Sequence, residues 1–102
     1  MNDKKLKTNF VITGKLTKYT RSQMIDKINM AGGIVKDRIT PDIDFLIVGD
    51  TGKFGETNKI QAAKRCGTTL ISENDFVELD IETLKEYING LKTITNIMDS
   101  YQ

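Results

Sequence analysis

The run Phe45-Leu46-Ile47-Val48 is apolar at every position, which rules out a strand that shows every second side chain to water. Such a strand is stable only with both faces covered, so it belongs in the centre of a sheet with helices packed on either side. The rest of the chain supplies the parts. Asn9-Phe10-Val11-Ile12-Thr13 reads as a short β-branched strand ending at Gly14, Ile34-Val35-Lys36-Asp37 as a second strand, and Thr68-Thr69-Leu70-Ile71 as a fourth. Thr20 followed three residues later by Gln23 predicts a capping box, opening a helix with Met24, Ile28 and Ala31 on one face and Gly32 as its stop. Lys59 to Cys66 predicts a second helix with Ile60, Ala63 and Cys66 on one face, and Ser72-Glu73-Asn74-Asp75 caps a third that carries Phe76 and Val77. The order β-α-β-β-α-β-α predicts an α/β fold, with a four-stranded, mainly parallel sheet flanked by helices.

Residues 1–7 are polar and read as an N-terminal arm, 8–79 as the domain, and 80–102 as a C-terminal helical extension. In the extension Leu84, Tyr87, Ile88, Leu91, Ile94, Ile97, Met98 and Tyr101 keep an apolar stripe at helical spacing, interrupted at Asn89-Gly90. A strap packed on the domain is favoured over a dimerisation helix on this spacing, and the oligomeric state stays open.

Charge and composition exclude several functions. Lys plus Arg total 15 and Asp plus Glu 14, so the net charge of +1 gives no bulk attraction to a polyanion, and any phosphate binding has to come from a local arrangement. Histidine, the commonest general base and metal ligand, is absent. Gly49-Asp50-Thr51-Gly52-Lys53-Phe54 lies in a glycine-rich loop but fails as a nucleotide-binding P-loop, because its glycines are too close and Phe54 stands where Ser or Thr would hold magnesium. The single cysteine, Cys66, cannot form an internal disulfide and reads as a buried, inert thiol on an apolar helix face. No spacing of Asp, Glu or Cys resembles a metal cage. No cofactor, metal or catalytic residue is expected. No apolar run approaches the length of about 18 residues that spans a membrane, and Asp3, Lys4, Lys5 and Lys7 interrupt any signal-peptide core. The expected setting is intracellular, in the nucleoid-associated cytoplasm if the source is bacterial.

One ordered series of motifs is more specific than any of its parts. Phe10-Val11-Ile12-Thr13-Gly14, Arg21 at a helix start, Ala31-Gly32-Gly33-Ile34-Val35, Phe45-Leu46-Ile47-Val48-Gly49, Lys59 four residues before Ala63, Gly67, and Ile71-Ser72-Glu73-Asn74-Asp75-Phe76 together resemble the BRCT domain. The resemblance is nearest to the branch found in bacterial NAD-dependent DNA ligases and in the large subunit of replication factor C. Many BRCT domains carry a tryptophan in the last helix; this chain has none, and Phe76 takes an equivalent apolar role.

The resemblance implies that Thr13, Gly14, Arg21 and Lys59 grip a phosphate. The chemistry suits the task. A hydroxyl, a backbone amide free of a neighbouring Cβ, a planar guanidinium fork and a compact ammonium can surround a small tetrahedral anion. Taken singly, each position also reads as ordinary strand-end, turn or solvated-helix chemistry. Lys15, Lys18 and Lys53 are candidates for secondary contacts with a DNA backbone, as, more distantly, are Lys36 and Lys64. The implied function is a non-enzymatic, phosphate-recognising module for 5′-phosphorylated DNA ends or nicks in replication or repair. It could form part of a ligase, a clamp loader or a polymerase-associated protein. The alternative is a protein-interaction module that reads a phosphopeptide or docks an unmodified partner of the same machinery. A lone repeat weighs against phosphopeptide reading, which in this family resembles a tandem arrangement.

Overall fold

A computed structural model describes residues 8–52 and 58–89. Their elements are β1 (Thr8–Thr13), α1 (Arg21–Met30), β2 (Gly33–Val35), β3 (Phe45–Val48), α2 (Asn58–Cys66), β4 (Thr69–Ser72), α3 (Glu73–Glu78) and α4 (Ile81–Ile88). The four strands form one sheet in the order β2-β1-β3-β4, and every neighbouring pair is parallel. The apolar run of β3 therefore sits inside the sheet, as its composition requires.

Two clusters cover the two faces. Phe10, Ile12, Ile47 and Ile71 pack with Met24 and Ile28 of α1, Phe76 of α3 and Leu84 of α4. Val11, Leu46 and Val48 pack on the opposite face with Ile60 and Ala63 of α2 and with Ile43, which lies in the β2–β3 connection. Phe10 anchors the first cluster, stacked on Phe45 with centroids 5.1 Å apart and meeting Phe76 edge-on at 6.4 Å. Each such aromatic pair contributes about 0.5–1.5 kcal/mol beyond the area it buries.

Local signals behave as read. Thr20 caps α1 and Gln23 completes the reciprocal box; Ser72 caps α3 through the Asp75 amide. The extension starts with a helix of its own, α4, capped by Asp80, whose Leu84 is fully buried and whose Tyr87 and Ile88 pack on the first cluster. The N-terminal arm and the stripe residues from Leu91 to Tyr101 lie outside the described residues.

Two details differ from the sequence reading. β2 starts at Gly33 and stops at Val35, because Lys36, Asp37 and Arg38 are exposed once β1 has paired through Phe10. Cys66 is exposed, not buried. It is the last residue of α2, beyond the turn that Ile60 and Ala63 press onto the sheet, and Gly67 then turns the chain away with φ +76°. Lys27, by contrast, is buried within α1.

The loops after β1 and β3 are stitched together. Gly49 donates to the Thr13 carbonyl at 2.8 Å, and Lys15 and Asp50 exchange two backbone hydrogen bonds, each 2.8 Å long. This contact requires glycine on both sides. A Cβ on Gly49 would lie 2.6 Å from the Lys15 carbonyl oxygen, and one on Gly14, whose φ is +81°, would lie 3.0 Å from the Gly49 carbonyl carbon. Gly49→Ala must therefore push two backbones apart and is expected to cost at least about 2 kcal/mol, lowering Tm by roughly 10 °C. Gly52→Ala, where nothing lies within 4 Å of the added carbon, bears only the left-handed backbone penalty of about 1 kcal/mol. Thermal unfolding of the two variants side by side checks the difference.

Candidate phosphate-binding site at the carboxyl end of the sheet

From β1 the chain crosses through α1 to β2 on one side, and from β3 it crosses through α2 to β4 on the other. The chain departs in opposite directions from these adjacent strands, which makes the carboxyl ends of β1 and β3 the switch point where open parallel sheets bind ligands. Crossovers of one hand in opposite directions also put α1 and α2 on opposite faces, in agreement with the two clusters.

The four residues implied by the resemblance lie at this end. Thr13 closes β1, is buried, and by strand alternation points to the face of Val11, the α2 side. Lys59, half-buried, is the second residue of α2 on the same flank. Arg21 is exposed as the first residue of α1 on the other flank, where the first-turn amides have no acceptor within the helix. Gly14 follows β1, and the space that its missing Cβ leaves is filled by the backbone of Gly49 and Asp50. At this position the missing Cβ gives clearance to the second loop. A cleft of about 280 Å³ nearby is lined by Thr17, Val48, Gly49, Asp50, Ser72, Glu73 and Asn74, and by none of the four.

The loop between Gly14 and α1 is shaped from a distance. Glu73, buried in the first turn of α3, accepts from the Thr17 amide at 2.9 and 3.0 Å, the Lys18 amide at 2.7 Å, the Tyr19 amide at 3.3 Å and the Thr17 hydroxyl at 3.2 Å. Burial alone would raise the pKa of this carboxyl; the amides of Thr17, Lys18 and Tyr19 and the Thr17 hydroxyl outweigh it and hold the group below its ordinary value. One carboxylate thus takes up three successive loop amides, and the turn that delivers Arg21 is fixed in place.

The comparisons with known proteins agree with this architecture. The family model described as the BRCA1 C Terminus (BRCT) domain matches residues 3–79. The chain belongs to the BRCT family. Its curated relatives include DNA ligases of Halothermothrix orenii, 37% identical over 70 residues, Pseudothermotoga lettingae, 32% over 80, and Borrelia hermsii, 38% over 74. These matches cover 69%, 76% and 70% of the chain but only 10%, 11% and 10% of the relatives. The chain therefore spans about a tenth of the length of the ligases it matches. Among the described residues, no helix is long and apolar enough to cross a membrane.

Within this BRCT domain the loop has a second support. The Lys27 ammonium donates to the Phe76 carbonyl at 3.0 Å and, at 3.4 Å each, to the Val77 carbonyl and the Tyr19 hydroxyl, and it lies 5.2 and 4.9 Å from the Tyr19 and Phe76 ring centroids. Glu73 and Lys27 thereby hold the two ends of α3, with the signs that the helix dipole favours. Phe76 is fully buried between these contacts.

Of the secondary cations, Lys15 and Lys18 are exposed in the β1–α1 loop at the site end, and Lys53 lies outside the described residues. Lys64 is in the last turn of α2, at the opposite end of the sheet, and Lys36 follows the short β2. Sequence reasoning missed Glu73, Gly49 and Lys27. Only Gly49 left a local trace, as the glycine that ends an apolar strand.

Because the folded state lowers the Glu73 pKa, its contribution is complete above the ordinary glutamate value of about 4.3 and is lost as pH falls through the lower folded value. Glu73→Gln keeps the shape but loses the charge, and is expected to cost about 2 kcal/mol near pH 7. Urea titrations at a series of pH values should show the gap between parent and variant closing only on acidification below that ordinary value.

Proposed function

We propose that this BRCT domain is a non-catalytic module that binds the 5′ phosphate of a DNA end or nick. The observation that supports this reading is the placement of three donors at the carboxyl ends of β1 and β3, with Thr13 closing β1, Arg21 opening α1 on one face of the sheet and Lys59 in the first turn of α2 on the other. A chain of net charge +1 gains little from general attraction to DNA, so its affinity has to come from a few charged hydrogen bonds, each worth about 1.5–3 kcal/mol. A terminal phosphate offers more charge and more open oxygens than a phosphodiester, and Thr13, Gly14, Arg21 and Lys59 supply donors of complementary kind. Lys15 and Lys18 add weaker contacts along the backbone. A DNA ligand is in keeping with the relatives, each of which is named a DNA ligase. As part of a larger protein, the domain would hold an end or nick while catalysis proceeds elsewhere.

Fluorescence anisotropy with matched duplexes, one ending in a 5′ phosphate and the other in a 5′ hydroxyl, tests the reading. The phosphorylated duplex is expected to bind at least about tenfold more tightly, the equivalent of one charged hydrogen bond. The Arg21→Ala, Lys59→Ala double variant should abolish that preference, whereas equal affinities in the parent would reject the proposal. Equal affinities combined with capture of one protein partner after nuclease treatment would favour the docking module instead.

A pH profile provides an independent check. The chain contains no histidine, and the second ionisation of a terminal phosphate lies near pH 6, at about the value for phosphorylated side chains. The preference for the phosphorylated end should weaken as pH falls from 7 to 5. The hydroxyl-ended duplex should show no matching change.

A further inference from the structure

An open groove of about 540 Å³ runs between α1 and the α3–α4 junction. Its bed is apolar: Val77, Leu79 and Ile81 are half-buried, and Met30, at 68% exposure, is the exposed large hydrophobic residue among the described ones. Its walls carry carboxylates. Asp26 stands one turn before Met30 on the same face of α1, and Glu78 and Asp80 flank Leu79 on the other side. We propose that this groove receives an amphipathic helix of a partner protein, one that presents apolar side chains flanked by Lys or Arg.

Charge complementarity carries the argument. The three acidic residues are exposed, whereas the cation that lines the groove, Lys27, is buried, with its ammonium held on the Phe76 carbonyl at 3.0 Å. Asp26 and Glu78 have no ion-pair partner among the described residues, and Asp80 caps α4 through the Thr83 amide. Each wall thus sets a carboxylate beside an apolar side chain, Asp26 beside Met30 and Glu78 beside Leu79, so an occupant has to bring apolar and cationic groups together. Nucleic acid and anionic lipid are repelled by such a rim. A second copy docked groove to groove about a two-fold axis would set its own three carboxylates against these. Shape selects the form of the occupant. A groove walled by helices takes an amphipathic helix by its apolar face, and the ten residues of α1 give a wall about 15 Å long, enough for two to three turns.

Fluorescence anisotropy of the full chain with two labelled amphipathic helical peptides, one of leucine and lysine and its counterpart of leucine and glutamate, tests this. The net charge of +1 gives a polycation no general attraction, so tight binding of the lysine peptide has to come from a local surface. That peptide is expected to bind at least about tenfold more tightly than the glutamate peptide. The Asp26→Lys, Glu78→Lys double variant should weaken it by at least about tenfold, and Met30→Ser, which removes apolar contact without altering charge, by at least about fivefold. All three positions are exposed, and thermal unfolding of each variant verifies that folded chains are compared. Failure of the lysine peptide to bind at about 0.1 mM would overturn the proposal, as would an affinity that either variant leaves untouched. So would a dimer, detected by light scattering, that Met30→Ser disperses, because the groove would then belong to a second copy.

Discussion

The Glu73 carboxylate is the interaction on which the arrangement of this BRCT domain depends. Backbone amides in a loop need acceptors, and the β1–α1 loop draws three of its acceptors from one side chain in another helix. The loop becomes a rigid bracket between the end of β1 and the start of α1. Lys27 completes the frame by engaging the last carbonyls of α3 and the ring of Tyr19 at the end of the same loop. The result is a short helix, α3, pinned at both ends, with the loop bearing the candidate phosphate ligands as its counterpart.

Beside that bracket, sheet order sets where the two loops leave. β1 and β3 are parallel neighbours whose following helices leave in opposite directions, and only the Gly14–Gly49 contact lets the two loops approach closely at the base. The junction of the two loops is therefore backbone held by backbone hydrogen bonds.

Much of the fold was legible because its signals are local. The all-apolar β3, the Thr20 and Gln23 box, the Ser72 cap and the Met24, Ile28 and Ala31 face each lie within a few residues of the structure they specify. The candidate ligands were legible only through a resemblance, since nothing in the spacing of Thr13, Arg21 and Lys59 shows that they share one end of a sheet. The partners of Glu73 and Lys27 were not legible at all. A glutamate in a first turn and a lysine in a last turn are ordinary on exposed helices, and their burial results from contacts across 49 to 56 residues. Cys66 failed in the opposite sense: its spacing fits the stripe of α2, but the sheet does not extend far enough to cover the final turn.

The distance between Thr17 and Glu73 in the chain, 56 residues, also sets an order of events in synthesis. The loop emerges early and its acceptor late, after both crossovers have been made. Until α3 leaves the ribosome, the amides of residues 17–19 have only water to bond, and Arg21 has no fixed bearing. Such long-range closure is slow relative to local helix formation. A nascent chain halted anywhere before Glu73 can hold the two central strands without the carboxylate that orders this loop, so the bracket closes late, when the domain is nearly complete.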